Sequence, residues 1–89
     1  MTYIQNSKID IMSLGDGEGT VLYDSSTENT FILDEVAADM LSCFEKENNW
    51  DNAVDTLTEM YGEKRTVIEE DTKEYFDQLI HEGILVEVL

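Results

Sequence analysis

The spacing of apolar residues changes along the chain, from alternation before Asp34 to helical recurrence after it. Ser7 to Leu14 alternates in part, with Ile9, Ile11 and Ser13 on one side and Lys8, Asp10 and Met12 on the other, which predicts a first strand. Gly15-Asp16-Gly17-Glu18-Gly19 predicts a turn, because glycine supplies the positive φ that a tight reversal needs. Thr20 to Asp24 reads as a second strand. Ser25-Ser26-Thr27-Glu28-Asn29 is a second turn, built from residues that bond their own backbone. Thr30-Phe31-Ile32-Leu33 is β-branched, aromatic or aliphatic throughout and forms the third strand. Two short connections predict an antiparallel meander.

Asp34 follows the third strand with no loop between, and Asp is a favoured N-cap. Val36, Ala37, Met40, Leu41 and Phe44 then form one helical stripe. A second helix is predicted from the cap at Asn49, with Trp50, Ala53, Val54, Leu57 and Tyr61 on one face and Gly62 as its stop. Thr66-Val67-Ile68-Glu69 has capping-box spacing and opens a third helix that runs to about Glu82. Its apolar positions are Ile68, Thr72, Tyr75, Phe76, Leu79 and Ile80, and Gly83 ends it. Ile84 to Leu89 is a candidate terminal strand. Segregated strands and helices imply an α+β fold, a three-stranded antiparallel sheet followed by three helices, winged helix-turn-helix-like. With 89 residues, a single domain over 1–89 is expected.

Charge changes the picture most. Five Lys and Arg stand against 21 Asp and Glu, a net charge of −16. Such a field repels phosphate backbones and anionic membranes and attracts basic partners. The predicted third helix carries Glu69, Glu70, Asp71, Glu74, Asp77 and Glu82 against Lys73 alone, so no nucleic acid is expected in spite of the winged-helix outline. No stretch is long and apolar enough to span a membrane, no signal peptide precedes the fold, and one cysteine makes no internal disulfide. A cytoplasmic protein is expected.

Catalytic and metal chemistry find little footing. Cys43 and His81 are the lone members of their kinds and fall on different helices. Cys43 lies beside an apolar stripe, and His81 sits in a last helical turn, where the helix dipole favours partial positive charge. The carboxylates are spaced as a solvated face. Counting an EF-hand from Asp16 puts Val21 at the glycine position and Thr27 at the glutamate position, so the calcium-loop match fails and a hairpin turn is expected. No cofactor and no enzyme activity are expected. What remains is a strand edge: three short strands leave unpaired N–H and C=O groups that accept another strand.

Thr30-Phe31-Ile32-Leu33-Asp34-Glu35-Val36-Ala37-Ala38-Asp39-Met40-Leu41 resembles the pattern of the pyrroloquinoline-quinone biosynthesis protein PqqD and its relatives. In that family a strand ending in Leu meets Asn or Asp and then a small-residue helix start. Trp50 to Tyr61 and Asp71 to Leu85 fall where the family has its second and last helices, so the resemblance covers about Ile9 to Leu85. It implies a stand-alone RiPP recognition element, as in PQQ or lasso-peptide biosynthesis. Such a module binds the leader of a ribosomally made precursor peptide as an added strand. It presents that peptide to a modifying enzyme or leader protease, of radical SAM or cysteine protease type. Carried onto this chain, the resemblance implies backbone partners Asn29, Thr30, Phe31, Ile32 and Leu33. The helix side of the groove would be Thr72, Tyr75, Phe76 and Leu79, with Tyr75 the most exposed. Strand alternation puts Phe31 and Leu33 on the core face and Thr30 and Ile32 opposite. The alternative is an acidic winged-helix-like adaptor for a basic protein.

Overall fold

A computed structural model describes residues 1–15 and 18–89. Asp16 and Gly17 of the predicted glycine turn lie outside the described residues. The element order is β1 (Thr2–Gln5), β2 (Ile9–Ser13), β3 (Thr20–Asp24), β4 (Asn29–Leu33), α1 (Glu35–Ser42), α2 (Trp50–Tyr61), α3 (Arg65–His81) and β5 (Leu85–Val88). The predicted meander is β2-β3-β4, antiparallel throughout, with Leu22 of β3 facing Ile11 on one side and Phe31 on the other.

The N-terminus departs from the expectation of a single strand before the glycine turn. Thr2–Gln5 is a separate strand that pairs with β5 in a second, two-stranded sheet, Thr2 against Val88 and Gln5 against Leu85. Asn6 closes this arrangement: its N–H donates to the Ile84 carbonyl and its side-chain amide to the Gly83 carbonyl. The two ends of the chain are thus tied together over the core. On the side of β2 that carries Ile9 and Ile11, Ile9 is buried and Ile11 is 46% exposed, next to a surface hollow it shares with Ala38 and Leu41 of α1.

The helices start and stop for identifiable reasons. The Asp34 carboxylate accepts from Ala37 N–H at 2.9 Å, and Asn49 does the same for Asn52 N–H at 2.8 Å. Gly62 ends α2 in the left-handed region at φ 65°. The predicted capping box at Thr66 does not form. Helix α3 begins two residues earlier than that cap would set it, with Lys64 as a cap that makes no side-chain bond. Glu69 is drawn instead to Arg65, which also pairs with Asp51 and Asp55 of α2. Three carboxylates thus gather on one guanidinium at the junction of α2 and α3.

Leu22, Met40, Leu41, Phe44, Ala53, Val54, Leu57, Ile68, Phe76, Leu79, Ile84 and Leu85 form one apolar core shared by both sheets and all three helices. Phe44 lies beyond the end of α1 yet is fully buried. Tyr61, predicted on the core stripe of α2, is exposed and donates its hydroxyl to Asp39. Burial of its ring edge, then that hydrogen bond, push its pKa upward.

Candidate functional site

β4 ends its sheet, so among the described residues one of its edges has no strand beside it. The register decides which backbone groups face that edge. Ser25 N–H donates to the Lys8 carbonyl, and Leu14 N–H donates to the Gly19 carbonyl. Bonded and non-bonded pairs alternate along an antiparallel ladder, so Tyr23 and Val21 also turn their backbone groups toward β2. Asp24, Leu22 and Thr20 turn theirs toward β4, where they meet Asn29, Phe31 and Leu33. Thr30 and Ile32 are left with N–H and C=O directed at the open edge. Their side chains are exposed as well, Ile32 at 76%, while Phe31 and Leu33 are half-buried against the core.

Beside this edge lies a cleft of about 670 Å³, between β4, the start of α1 and the last turns of α3. Its apolar floor is Phe31, Leu33, Ala37, Leu79 and Ile84, and its rim is Glu18, Asp34, Glu35, Tyr75, Gln78 and Glu82. That volume falls in the usual range for ligand sites, about 300–1,000 Å³. Gly19 shapes the Leu33 end. At φ 90° it is in the left-handed region, and an added Cβ would lie 2.9 Å from the Leu33 carbonyl oxygen.

Asp34 organises the same end. One carboxylate oxygen caps α1, and the other accepts from the Tyr75 hydroxyl at 2.7 Å. That hydrogen bond raises the Tyr75 pKa, and the charges of Asp34, Glu74 and Asp71 add to the effect. A phenol held neutral here is a donor at any ordinary pH.

Of the residues expected at the site, Thr30, Phe31, Ile32, Leu33, Tyr75 and Leu79 meet around the cleft. Asn29 stands at the turn end of β4, off the cleft lining, with its backbone committed to β3. Thr72 and Phe76 do not reach the cleft, which corrects their expected place on its helix side. Thr72 is buried and donates its hydroxyl to the Ile68 carbonyl at 2.6 Å. Phe76 packs against Tyr3, Phe44 and Trp50 at centroid distances of 5.4, 5.8 and 4.9 Å. The cause is helical phase. Thr72 and Phe76 share an i, i+4 stripe that enters the core, whereas Tyr75, Gln78, Leu79 and Glu82 form the neighbouring stripe. Gln78, Glu82, Ile84, Glu18 and Glu35 were not anticipated at the site. The i, i+3, i+4, i+7 spacing from Tyr75 carries the signal for the first two.

Cys43 is half-buried at the end of α1, where its thiol donates to the Asp39 carbonyl and burial, aided by Asp39, pushes its pKa up. His81 is exposed in the last turn of α3. Neither lines the cleft. Among the described residues no helix is long and apolar enough to cross a membrane.

The site is thus an edge strand beside an apolar-floored cleft, on a sheet backed by three helices. The family model described as coenzyme PQQ synthesis protein D (PqqD) matches residues 19–85, and the chain belongs to that family. Two solved structures are similar to it. TbiB1 in complex with the TbiA(beta) leader peptide aligns at a TM-score of 0.78 and 20% identity, over 97% of this chain and 98% of that one. A lasso peptide synthetase B1 complexed with the leader peptide aligns at 0.73 and 21%, over 96% and 98%. A search of curated protein sequences finds no match.

Proposed function

We propose that this protein binds the leader region of a ribosomally synthesised precursor peptide and presents it to a modifying enzyme or leader protease, without catalysing a reaction itself. The leader adds as a strand to the open edge of β4. The observation that carries this reading is the outward aim of the Thr30 and Ile32 backbone groups beside the cleft. Two donors and two acceptors two residues apart are the template an added strand needs. Family membership supports it, and both similar structures are of proteins bound to leader peptides.

The backbone provides the affinity, and the cleft reads one face of the bound strand through Phe31, Leu33, Tyr75 and Leu79. Holding the leader tethers the rest of the precursor near the enzyme and raises its local concentration. The test is a titration of isotope-labelled protein with the precursor peptide encoded beside its gene, followed by amide shifts. Shifts concentrated along Asn29 to Leu33 and on Tyr75 and Leu79 are expected. Shifts scattered over surface carboxylates, with β4 unmoved, would instead mark an acidic adaptor for a basic protein.

A further inference from the structure

The cleft rim carries charge of one sign only. Glu18, Asp34, Glu35 and Glu82 line it, and none of the five basic residues does. Two of the five are committed elsewhere. Arg65 pairs with Asp51, Asp55 and Glu69, and Lys73 pairs with Asp77 at 3.0 Å while its ammonium lies 5.2 Å from the Trp50 ring centroid. Lys8 precedes β2, Lys46 follows α1 and Lys64 precedes α3, all off the cleft lining. Within the rim, Asp34 is already engaged by Ala37 N–H and the Tyr75 hydroxyl. The Glu18, Glu35 and Glu82 side chains make no hydrogen bond or ion pair among the described residues.

The spacing of these charges is matched to an extended chain. Asp34 and Tyr75 fix the end of the cleft that holds Glu35 and Glu18. Glu82 lies seven residues beyond Tyr75, about 10 Å further along the helix axis. An extended peptide covers that distance in about three residues. Between the two ends the floor is apolar, with Leu79 and Ile84 each 2% exposed.

Resting on the leader-binding reading, we propose that the leader this cleft accepts is cationic. It is an extended segment that sets an apolar side chain over Leu79 and Ile84, a Lys or Arg beside Glu18 and Glu35, and a second Lys or Arg beside Glu82. Charge complementarity selects this occupant. The rim carboxylates line the same cleft as Thr30 to Leu33 of β4, and charges within a Debye length, about 8 Å at physiological salt, are not screened from one another. An acidic leader would bring like charges together at both ends and be rejected.

The experiment selects binders from a displayed library of random twelve-residue peptides against the intact protein. The best binders are then measured by fluorescence anisotropy. Two triple variants with equal change in net charge are compared: Glu18→Gln, Glu35→Gln, Glu82→Gln at the rim, and Glu45→Gln, Glu59→Gln, Glu63→Gln away from the cleft. Circular dichroism checks that both remain folded. A Lys→Gln change in each peptide probes the same contacts from the other side without altering the protein. The expected result is enrichment of Lys and Arg, a roughly tenfold loss of affinity in the rim variant and in the Lys→Gln peptide, and little loss in the remote variant. Neutral or acidic binders whose amide shifts still map to β4 would overturn the cationic leader while leaving strand addition intact. Equal losses in the two triple variants would overturn it too, since only the overall field would then matter. Binders that leave Thr30 and Ile32 unshifted would overturn strand addition, and this inference with it.

Discussion

The Tyr75 hydroxyl donates to the Asp34 carboxylate at 2.7 Å, and that bond joins α3 to the residue at which β4 turns into α1. Three elements meet at one carboxylate. Removing the donor tests the link. Tyr75→Phe is expected to lower stability only slightly, because a single solvated hydrogen bond contributes little. Asp34→Ala loses the helix cap as well and is expected to cost about 1–2 kcal/mol. Chemical denaturation of both variants checks the order.

The same pair sets a pH dependence. Folding raises the Tyr75 pKa above the ordinary value of 10.0, first through the Asp34 hydrogen bond and then through neighbouring carboxylates. A proton held more tightly in the folded state stabilises it at every pH below the ordinary value, and that contribution is lost as pH climbs through the raised one. Ultraviolet titration of phenolate absorbance in the wild type and in Asp34→Asn follows this directly. Tyr75 is expected to ionise at lower pH in the variant.

Proline placement along β4 separates its two edges. Thr30 and Ile32 direct their N–H outward, so Ile32→Pro removes a donor from the open edge and leaves the β3 ladder intact. Phe31 donates inward, so Phe31→Pro breaks the ladder itself. Ile32→Pro is expected to melt near the wild type yet lose leader binding, and Phe31→Pro to be strongly destabilised. Thermal melts and peptide titrations of the two variants report the distinction.

Phe76 contributes to the fold without lining the cleft. It is 4% exposed and sits among Tyr3, Phe44 and Trp50. Phe76→Ala is expected to destabilise the protein by about 3–5 kcal/mol, a large part of the total for a chain this size. Denaturant midpoints measure this, and a much smaller loss would mean that the aromatic cluster collapses around the gap.

Sequence patterns revealed the elements whose determinants are local. Asp34 and Asn49 are read as caps from a single residue type, Gly62 as a stop, and the third strand from four consecutive side chains. What escaped depends on distant partners. β1 is four residues long and is held by β5 at the other end of the chain, so no short-range pattern betrays it. The capping box at Thr66 satisfies a local rule, but Glu69 turns to Arg65, whose other partners Asp51 and Asp55 lie in α2, outside any window around Thr66. At the site the strand was legible and the helix phase was not. Tyr75 and Phe76 are neighbours of similar character, and only the packing of α3 decides that one faces the cleft and the other the core. The two outward backbone positions of β4 required the register of all three strands.

Amide hydrogen exchange at residue resolution, with and without the precursor peptide encoded beside the gene, tests strand addition most directly. In the free protein the Phe31 and Leu33 amides are expected to be protected by β3, while the Thr30 and Ile32 amides exchange quickly at the open edge. With the peptide bound, Thr30 and Ile32 are expected to slow by an order of magnitude or more while Phe31 and Leu33 change little. Saturating peptide that leaves Thr30 and Ile32 exchanging at their free rates would contradict the account.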